Sequence, residues 1–142
     1  MKKLLLLILV LVCGNLYAKS IANITALRGD ASISRDGSFL VASLGADLLE
    51  KDNIQTKDNA KMQIIFSDET IISIGKNSDF SIEEYLFDSN EPPVARFGML
   101  RGAMRTITGH IGDIAPQKFS VQTKTATIGI RGTNFSIFIQ DD

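Results

Sequence analysis

The stretch KMQIIFSDETIISI, residues 61–74, decides the fold class of this chain. Its two outer parts, 61–66 and 70–74, are rich in aliphatic, β-branched and aromatic residues, which favour strands. The residues between them, Ser67-Asp68-Glu69, form a compact polar turn signal. The sequence therefore predicts two neighbouring strands with buried side chains, which would be open to strand addition if either lay at a sheet edge.

The same pattern continues in both directions along the chain. Short alternating segments are separated by turn residues, most clearly at Asp36-Gly37, because glycine tolerates the positive φ of tight hairpins. No segment keeps apolar residues at helical spacing over three turns. We predict an all-β single domain of short, mostly antiparallel strands, arranged as a sandwich or jelly roll or as a short solenoid-like stack. Further strands are predicted at 21–27, 31–34, 39–41, 54–56, 79–87, 94–107 (interrupted by glycines), 119–123 and 135–139.

Residues 1–18 have the layout of a secretory signal peptide. Lys2-Lys3 precede an apolar run over residues 4–12, and the small residue Ala18 precedes a polar stretch. The run is shorter than the about 20 residues that a membrane-spanning helix needs, and an uncleaved signal anchor is the alternative. The sequence predicts export, with cleavage after Ala18.

The only cysteine, Cys13, lies inside this leader. A lipoprotein signal has a small residue immediately before the modified cysteine, whereas Val12 occupies that position here, so no lipid anchor is predicted. Cleavage leaves residues 19–142 as one exported domain without cysteine, which must be stabilised by its core rather than by disulfides.

The charge balance and the residue types argue against several functions. The chain has 15 basic and 16 acidic residues; without Lys2 and Lys3 the balance is 13 to 16, a net charge of −3, and no basic block suggests nucleic acid as a partner. His110 is the only histidine, so the sequence cannot form a multi-histidine metal centre, and a catalytic triad could use only this one residue as its base. The adjacent Glu83-Glu84 are predicted on opposite faces of a strand, which prevents joint acid–base catalysis. We predict a non-enzymatic protein with no cofactor, no metal and no small-molecule substrate.

Several short motifs, in order, resemble the FecR domain family over residues 24–139. Lys51-Asp52-Asn53-Ile54-Gln55-Thr56 resembles the family's corner, with Lys51 where the family usually has glycine. Ser67-Asp68-Glu69-Thr70 resembles its Asp-Gly-Ser turn, with Glu69 in place of the glycine. The segments 100–102, 119–123 and 131–133 fit the rest of the pattern. The residues predicted to be structural are Asp52, Ile54, Thr56, Asp68, Gly102, Gly129, Arg131, Gly132 and Thr133.

The resemblance implies a compact, antiparallel-rich β domain in the bacterial periplasm. In the namesake regulators such a domain links an outer-membrane iron-siderophore receptor to a sigma factor, through a cytoplasmic anti-sigma segment and a receptor-contacting C-terminal region. Only three residues precede the apolar run here, and the sequence stops at Asp142. We therefore expect a freestanding exported module rather than a direct sigma-factor regulator.

Arg131 lies in the otherwise strand-like segment 126–135. A buried guanidinium is costly unless its five donors are paired. We predict that Arg131 ties the last strand to an earlier corner, with Asp52 or Asp68 as its partner. Gly129 and Gly132 would allow a close backbone approach or a kink there. An arginine that faces a binding partner is the alternative.

These observations give two functional hypotheses. The first is a protein-binding or signalling module that contacts another envelope protein through a sheet edge or a surface. The second is a structural domain that self-associates at the cell surface.

Overall fold

The computed structural model of the protein describes residues 18–130 and 134–140. These residues form twelve strands, one short helix and one 3₁₀ turn. The strands are β1 Ala22–Arg28, β2 Ala31–Arg35, β3 Ser38–Val41, β4 Asp47–Leu48, β5 Asn53–Thr56, β6 Lys61–Phe66, β7 Ile71–Ile74, β8 Asp79–Leu86, β9 Val94–Ile107, β10 Phe119–Gln122, β11 Thr127–Gly129 and β12 Asn134–Ile139. The helix α1 spans His110–Ile114, and the 3₁₀ turn spans Pro116–Lys118.

The strands form one curled sheet whose two halves share the long strand β9, which confirms the all-β prediction. The first part of β9 pairs with β8 and β10, and the second part pairs with β7 and β12. Half A therefore has the order β4-β1-β6-β7-β9-β12, and half B has the order β3-β2-β5-β8-β9-β10-β11. Among the described strands every ladder is antiparallel except that between β9 and β10.

The bend of β9 occurs at Gly102. This residue has φ +92, and a Cβ there would overlap the side chain and backbone of Ser78. The Ser78 hydroxyl accepts a hydrogen bond from the amide of Ala103 at 3.1 Å, which holds the bend in place. The glycine was predicted to interrupt a strand; instead it lets one continuous strand pass from half B to half A.

Side chains from both halves pack into one hydrophobic core. The ring centroid of Phe66, in half A, lies 5.1 Å from that of Phe97, in half B. Phe97 also lies 5.5 Å from both Phe80 and Phe119. Each such buried side chain stabilises the fold by about 1.5–3 kcal/mol. These contacts bring the two halves of the curled sheet together around one core.

The strands that decided the fold class lie in the middle of half A. β6 and β7 pair with each other and are flanked by β1 and β9, and Ile64 and Ile72 are fully buried. Both predicted strands are thus confirmed as core strands, and neither lies at an edge.

The helix α1 was not predicted, because a helix of five residues is too short to show helical periodicity. Its buried residue Ile111 donates its amide to Asp68, so a tertiary contact holds it. Of the helices in the described ranges, none has the length and apolar character needed to cross a bilayer.

Candidate functional site

Asp52 is a fully buried carboxylate that joins the corner before β5 to β2. Arg35, on β2, donates to both of its oxygens, from Nε at 2.8 Å and from Nη2 at 2.7 Å. The amide of Leu49 adds a third donor at 2.8 Å. The hydrogen bond to Asp52 raises the pKa of Arg35, against a smaller opposing effect of burial. The bidentate geometry and the burial make this pair a structural clamp.

The side chains that follow Asp52 hold the next corner of the chain. Ile54 is fully buried in the core. The Thr56 hydroxyl donates to the carbonyl of Gly75 at 2.7 Å and accepts from the amide of Ser78 at 2.9 Å. It therefore links the end of β5 to the turn between β7 and β8. Since Ser78 also holds the bend at Gly102, the residues of two separate motifs meet at one corner.

Asp68 is the second fully buried carboxylate, and its partners in the described residues are neutral donors. Its Oδ1 accepts from the Tyr85 hydroxyl at 2.7 Å and from the Thr70 amide at 3.2 Å. Its Oδ2 accepts from the Thr70 hydroxyl at 2.8 Å and from the Ile111 amide at 3.1 Å. The Tyr85 oxygen in turn accepts from the amide of Asp68 at 3.0 Å. Burial, supplemented by the hydrogen bond to Asp68, raises the pKa of Tyr85.

Lys51 and Glu69, which stand beside these aspartates, both have left-handed backbones, with φ +75 and φ +70. These are the two positions at which the sequence has another residue where the FecR pattern has glycine. Left-handed backbone is the conformation that glycine adopts without steric cost. The geometry of the corner and of the turn is therefore retained although the glycines are replaced.

Among the residues that the structure describes, the most exposed apolar segment lies at an edge of half B. β3 pairs with β2 and, among the described strands, with no other. All four of its residues are exposed, with Phe39 at 75% and Val41 at 88%, and Leu44 just beyond it is exposed at 69%. An uncharged, apolar edge strand is a template for pairing with another chain.

The FecR protein family model matches residues 52–142 of the chain. The chain belongs to the FecR family. The match begins at Asp52 and contains Asp68, Gly102 and the segment 131–133. Membership of this family indicates a signalling-related protein of the cell envelope. No curated protein and no solved structure gives a significant match.

The strands β1 to β4 precede the matched region, yet they complete the FecR fold of this chain. Arg35, which holds Asp52, lies on β2, and β1 pairs with β6 inside the matched region. The described domain is therefore larger than the segment that the family model covers.

The predicted cluster around Arg131 lies outside the described residues, as do Gly132 and Thr133. The prediction that Arg131 reaches Asp52 or Asp68 thus stays a prediction, although both carboxylates have the partners given above. At Gly129, a Cβ would meet nothing within 4 Å. The close backbone approach predicted there is not found among the described residues.

Two features of this FecR domain were missed in the sequence. Arg35 lies one residue beyond the strand predicted at 31–34. Along β2 it alternates with the buried residues Ala31 and Ile33 on the inward side, and this alternation could have identified it. The exposure of β3 could not be predicted from the sequence, because its apolar composition resembles that of a buried strand.

The two adjacent glutamates do not alternate as predicted. A β-bulge between Ile82 and Glu84 brings both to the outer side of half B. Glu83 accepts from the Ser81 hydroxyl at 2.6 Å, and Glu84 forms an exposed ion pair with Arg96 at 2.8 Å.

His110, the only histidine, begins α1. Its Nε2 lies 3.2 Å from a carboxylate oxygen of Glu69. In the described part of the chain no three His, Cys, Asp or Glu side chains are grouped to hold a metal.

Proposed function

We propose that this FecR-family protein is a non-enzymatic periplasmic module that binds another envelope protein by strand addition at β3. The observation that carries the proposal is the exposed apolar edge formed by Phe39, Val41 and the neighbouring Leu44. Strand addition supplies affinity through main-chain hydrogen bonds and specificity through alternate side chains. Family membership supports a signalling role for such a contact.

The hydrogen-bond register of β3 identifies the backbone groups that a partner would meet. The amide of Ala42 donates to the carbonyl of Ala31 at 2.9 Å, so residue 42 points its backbone toward β2. Alternate residues of an antiparallel strand point in opposite directions. The amides of Phe39 and Val41 therefore face away from β2, toward an incoming strand.

This geometry gives a selective test at Val41. The Val41→Pro variant removes one outward amide and spares the ladder to β2, since proline is tolerated at an edge where the amide faces solvent. We expect the wild-type protein to capture a specific protein from envelope extract and the proline variant to lose it. Val41→Thr keeps the amide and is the matched control, which should retain capture.

Unfolding midpoints of all three proteins show whether the fold is intact. Equal capture by Val41→Pro and Val41→Thr, with both variants folded, would reject strand addition at β3. Failure of the wild-type protein to recover any specific partner would count against a protein-binding module altogether.

The second candidate function is self-association, and β12 favours it. β12 is an uncharged strand of six residues that pairs, among the described strands, with β9 alone at an edge of half A, and Phe138 within it is 72% exposed. Sedimentation equilibrium over a range of protein concentrations tests this function. A mass that rises with concentration supports it, and a monomer at every concentration rejects it.

A further inference from the structure

The outer face of half A carries a groove that the function proposed at β3 does not use. Five strands contribute to it, and the floor lies over β7 and β9, where Ser73, Gly75 and Ala103 are small residues and Arg105 lies opposite Ser73. Lys61 on β6 forms one wall, and Phe138 on β12 forms the other. The cavity has a volume of about 720 Å³. A second cavity of about 800 Å³ shares Lys61, Gly75, Ala103 and Phe138 and extends the groove toward Lys76.

The groove is cationic on an otherwise acidic protein. Its charged lining residues are Arg28, Lys61, Arg105 and, in the extension, Lys76, and no Asp or Glu lines either cavity in the described residues. Arg28 lies directly opposite Lys61 in the ladder between β1 and β6. A like-charge pair in this position destabilises a sheet. Neither residue forms an ion pair within the described chain, so an external anion would relieve this repulsion.

An apolar strip adjoins the cationic groove on the same face. Ile65, Ile71 and Ile107 are neighbours across β6, β7 and β9, and none of them is buried. Together with Phe138, they add an apolar surface beside the positive charges. A partner must therefore combine an apolar stripe with negative charge.

The dimensions favour a helix as the occupant. Lys61 and Phe138 are three strand spacings apart, which is roughly 14 Å at about 4.8 Å per strand. An α-helix with its side chains has a diameter of about 10–12 Å. The small residues Gly75 and Ala103, which lie between Lys61 and Phe138, allow the helix backbone to approach there.

We propose that this groove binds an acidic amphipathic helix of a partner protein. The apolar stripe of the helix would lie on Gly75 and Ala103 against Phe138, and its acidic residues would face Lys61 on one wall and Arg105 in the floor. This surface is separate from the edge of β3, so either proposal can fail while the other stands.

The test uses two labelled 18-residue peptides of the same helical design. Both have leucine and alanine on one face, and the flanks carry glutamate in one peptide and lysine in the other. Fluorescence anisotropy with the purified protein at low salt should show at least about tenfold tighter binding of the acidic peptide, and the difference should shrink at high salt.

Variants of the protein locate the contact. Lys61→Glu and Arg105→Glu should each weaken binding of the acidic peptide by about tenfold, and Phe138→Ser by about fivefold. Lys118→Glu is the matched control, because Lys118 is an exposed lysine remote from the groove in sequence and absent from its lining; it should change binding by less than about twofold.

Three results would overturn the proposal. The first is equal affinity for the acidic and basic peptides. The second is acidic-peptide binding that the Lys61 and Arg105 variants leave unchanged. The third is absence of peptide binding together with binding to phosphatidylglycerol vesicles but not to phosphatidylcholine vesicles, which would identify the surface as a lipid-binding one.

Discussion

The two buried aspartates, Asp52 and Asp68, have their carboxylates stabilised by different kinds of partner. In the part of the chain that the structure describes, Asp52 is neutralised by one guanidinium, which supplies two of the three hydrogen bonds to its carboxylate. Within the same described residues, Asp68 has four neutral donors, which come from its own turn, from Tyr85 on β8 and from α1. The first arrangement concentrates the stabilisation in one residue, and the second distributes it over three segments of the chain. The corners should therefore differ in their sensitivity to a single substitution.

The largest effect is expected from Arg35→Ala. Loss of the guanidinium leaves the Asp52 carboxylate buried with one amide donor, and breaking a buried pair costs about 3–5 kcal/mol. We expect a loss near the lower limit, about 3 kcal/mol, because Arg35 is partly exposed. Urea denaturation measures it.

Arg96→Ala is the matched control, since its ion pair with Glu84 is exposed on both sides. It should cost less than about 1 kcal/mol. Equal losses in the two variants would show that the Asp52 corner does not depend on its arginine.

A smaller loss is expected at the other aspartate, from Tyr85→Phe. The substitution removes one of four donors to Asp68 and leaves the Asp68 amide without its acceptor. An unmade buried hydrogen bond costs about 1–3 kcal/mol, and we expect about 2 kcal/mol in urea denaturation. A loss larger than that of Arg35→Ala would reverse the comparison.

The pH dependence of the free energy of unfolding, compared between the wild type and Tyr85→Phe, measures the contribution of the Tyr85 hydroxyl. The folded-state pKa of Tyr85 is raised, so the folded protein retains this proton more strongly than the unfolded chain does. The stabilisation is complete below the ordinary pKa of about 10 and is lost as the pH rises above it. The wild-type free energy of unfolding should thus fall more steeply than that of Tyr85→Phe, by up to about 1.4 kcal/mol per pH unit. Parallel profiles above pH 10 would exclude this linkage.

The positions of the strands could be predicted from the sequence, but the order in which they pair in the sheet could not. The strands β6 and β7 could be predicted from their composition. The structural role of Asp52, Thr56 and Asp68 could be predicted from the FecR pattern. The order of the strands depends on long-range pairings, such as that of β1 with β6, for which local pattern gives no signal. An exposed edge such as β3 therefore has the composition of a core strand, and only the fold shows which of the two it is.

The smallest effects concern the residues beside the two aspartates, Lys51 and Glu69, where the FecR pattern has glycine. A left-handed conformation costs a residue with Cβ about 1–2 kcal/mol, whereas glycine loses about 0.4–1 kcal/mol through greater freedom of the unfolded chain. Glu69→Gly should therefore stabilise the protein by about 0.5 kcal/mol, because its carboxylate makes only an exposed contact with His110. Lys51→Gly should gain less, since Lys51 Nζ donates to the carbonyl of Glu83 at 2.6 Å. The alanine variants at both positions remove the same contacts but keep Cβ, and should show no gain in thermal or urea denaturation; a gain with alanine equal to that with glycine would mean that the left-handed backbone carries no strain at these corners.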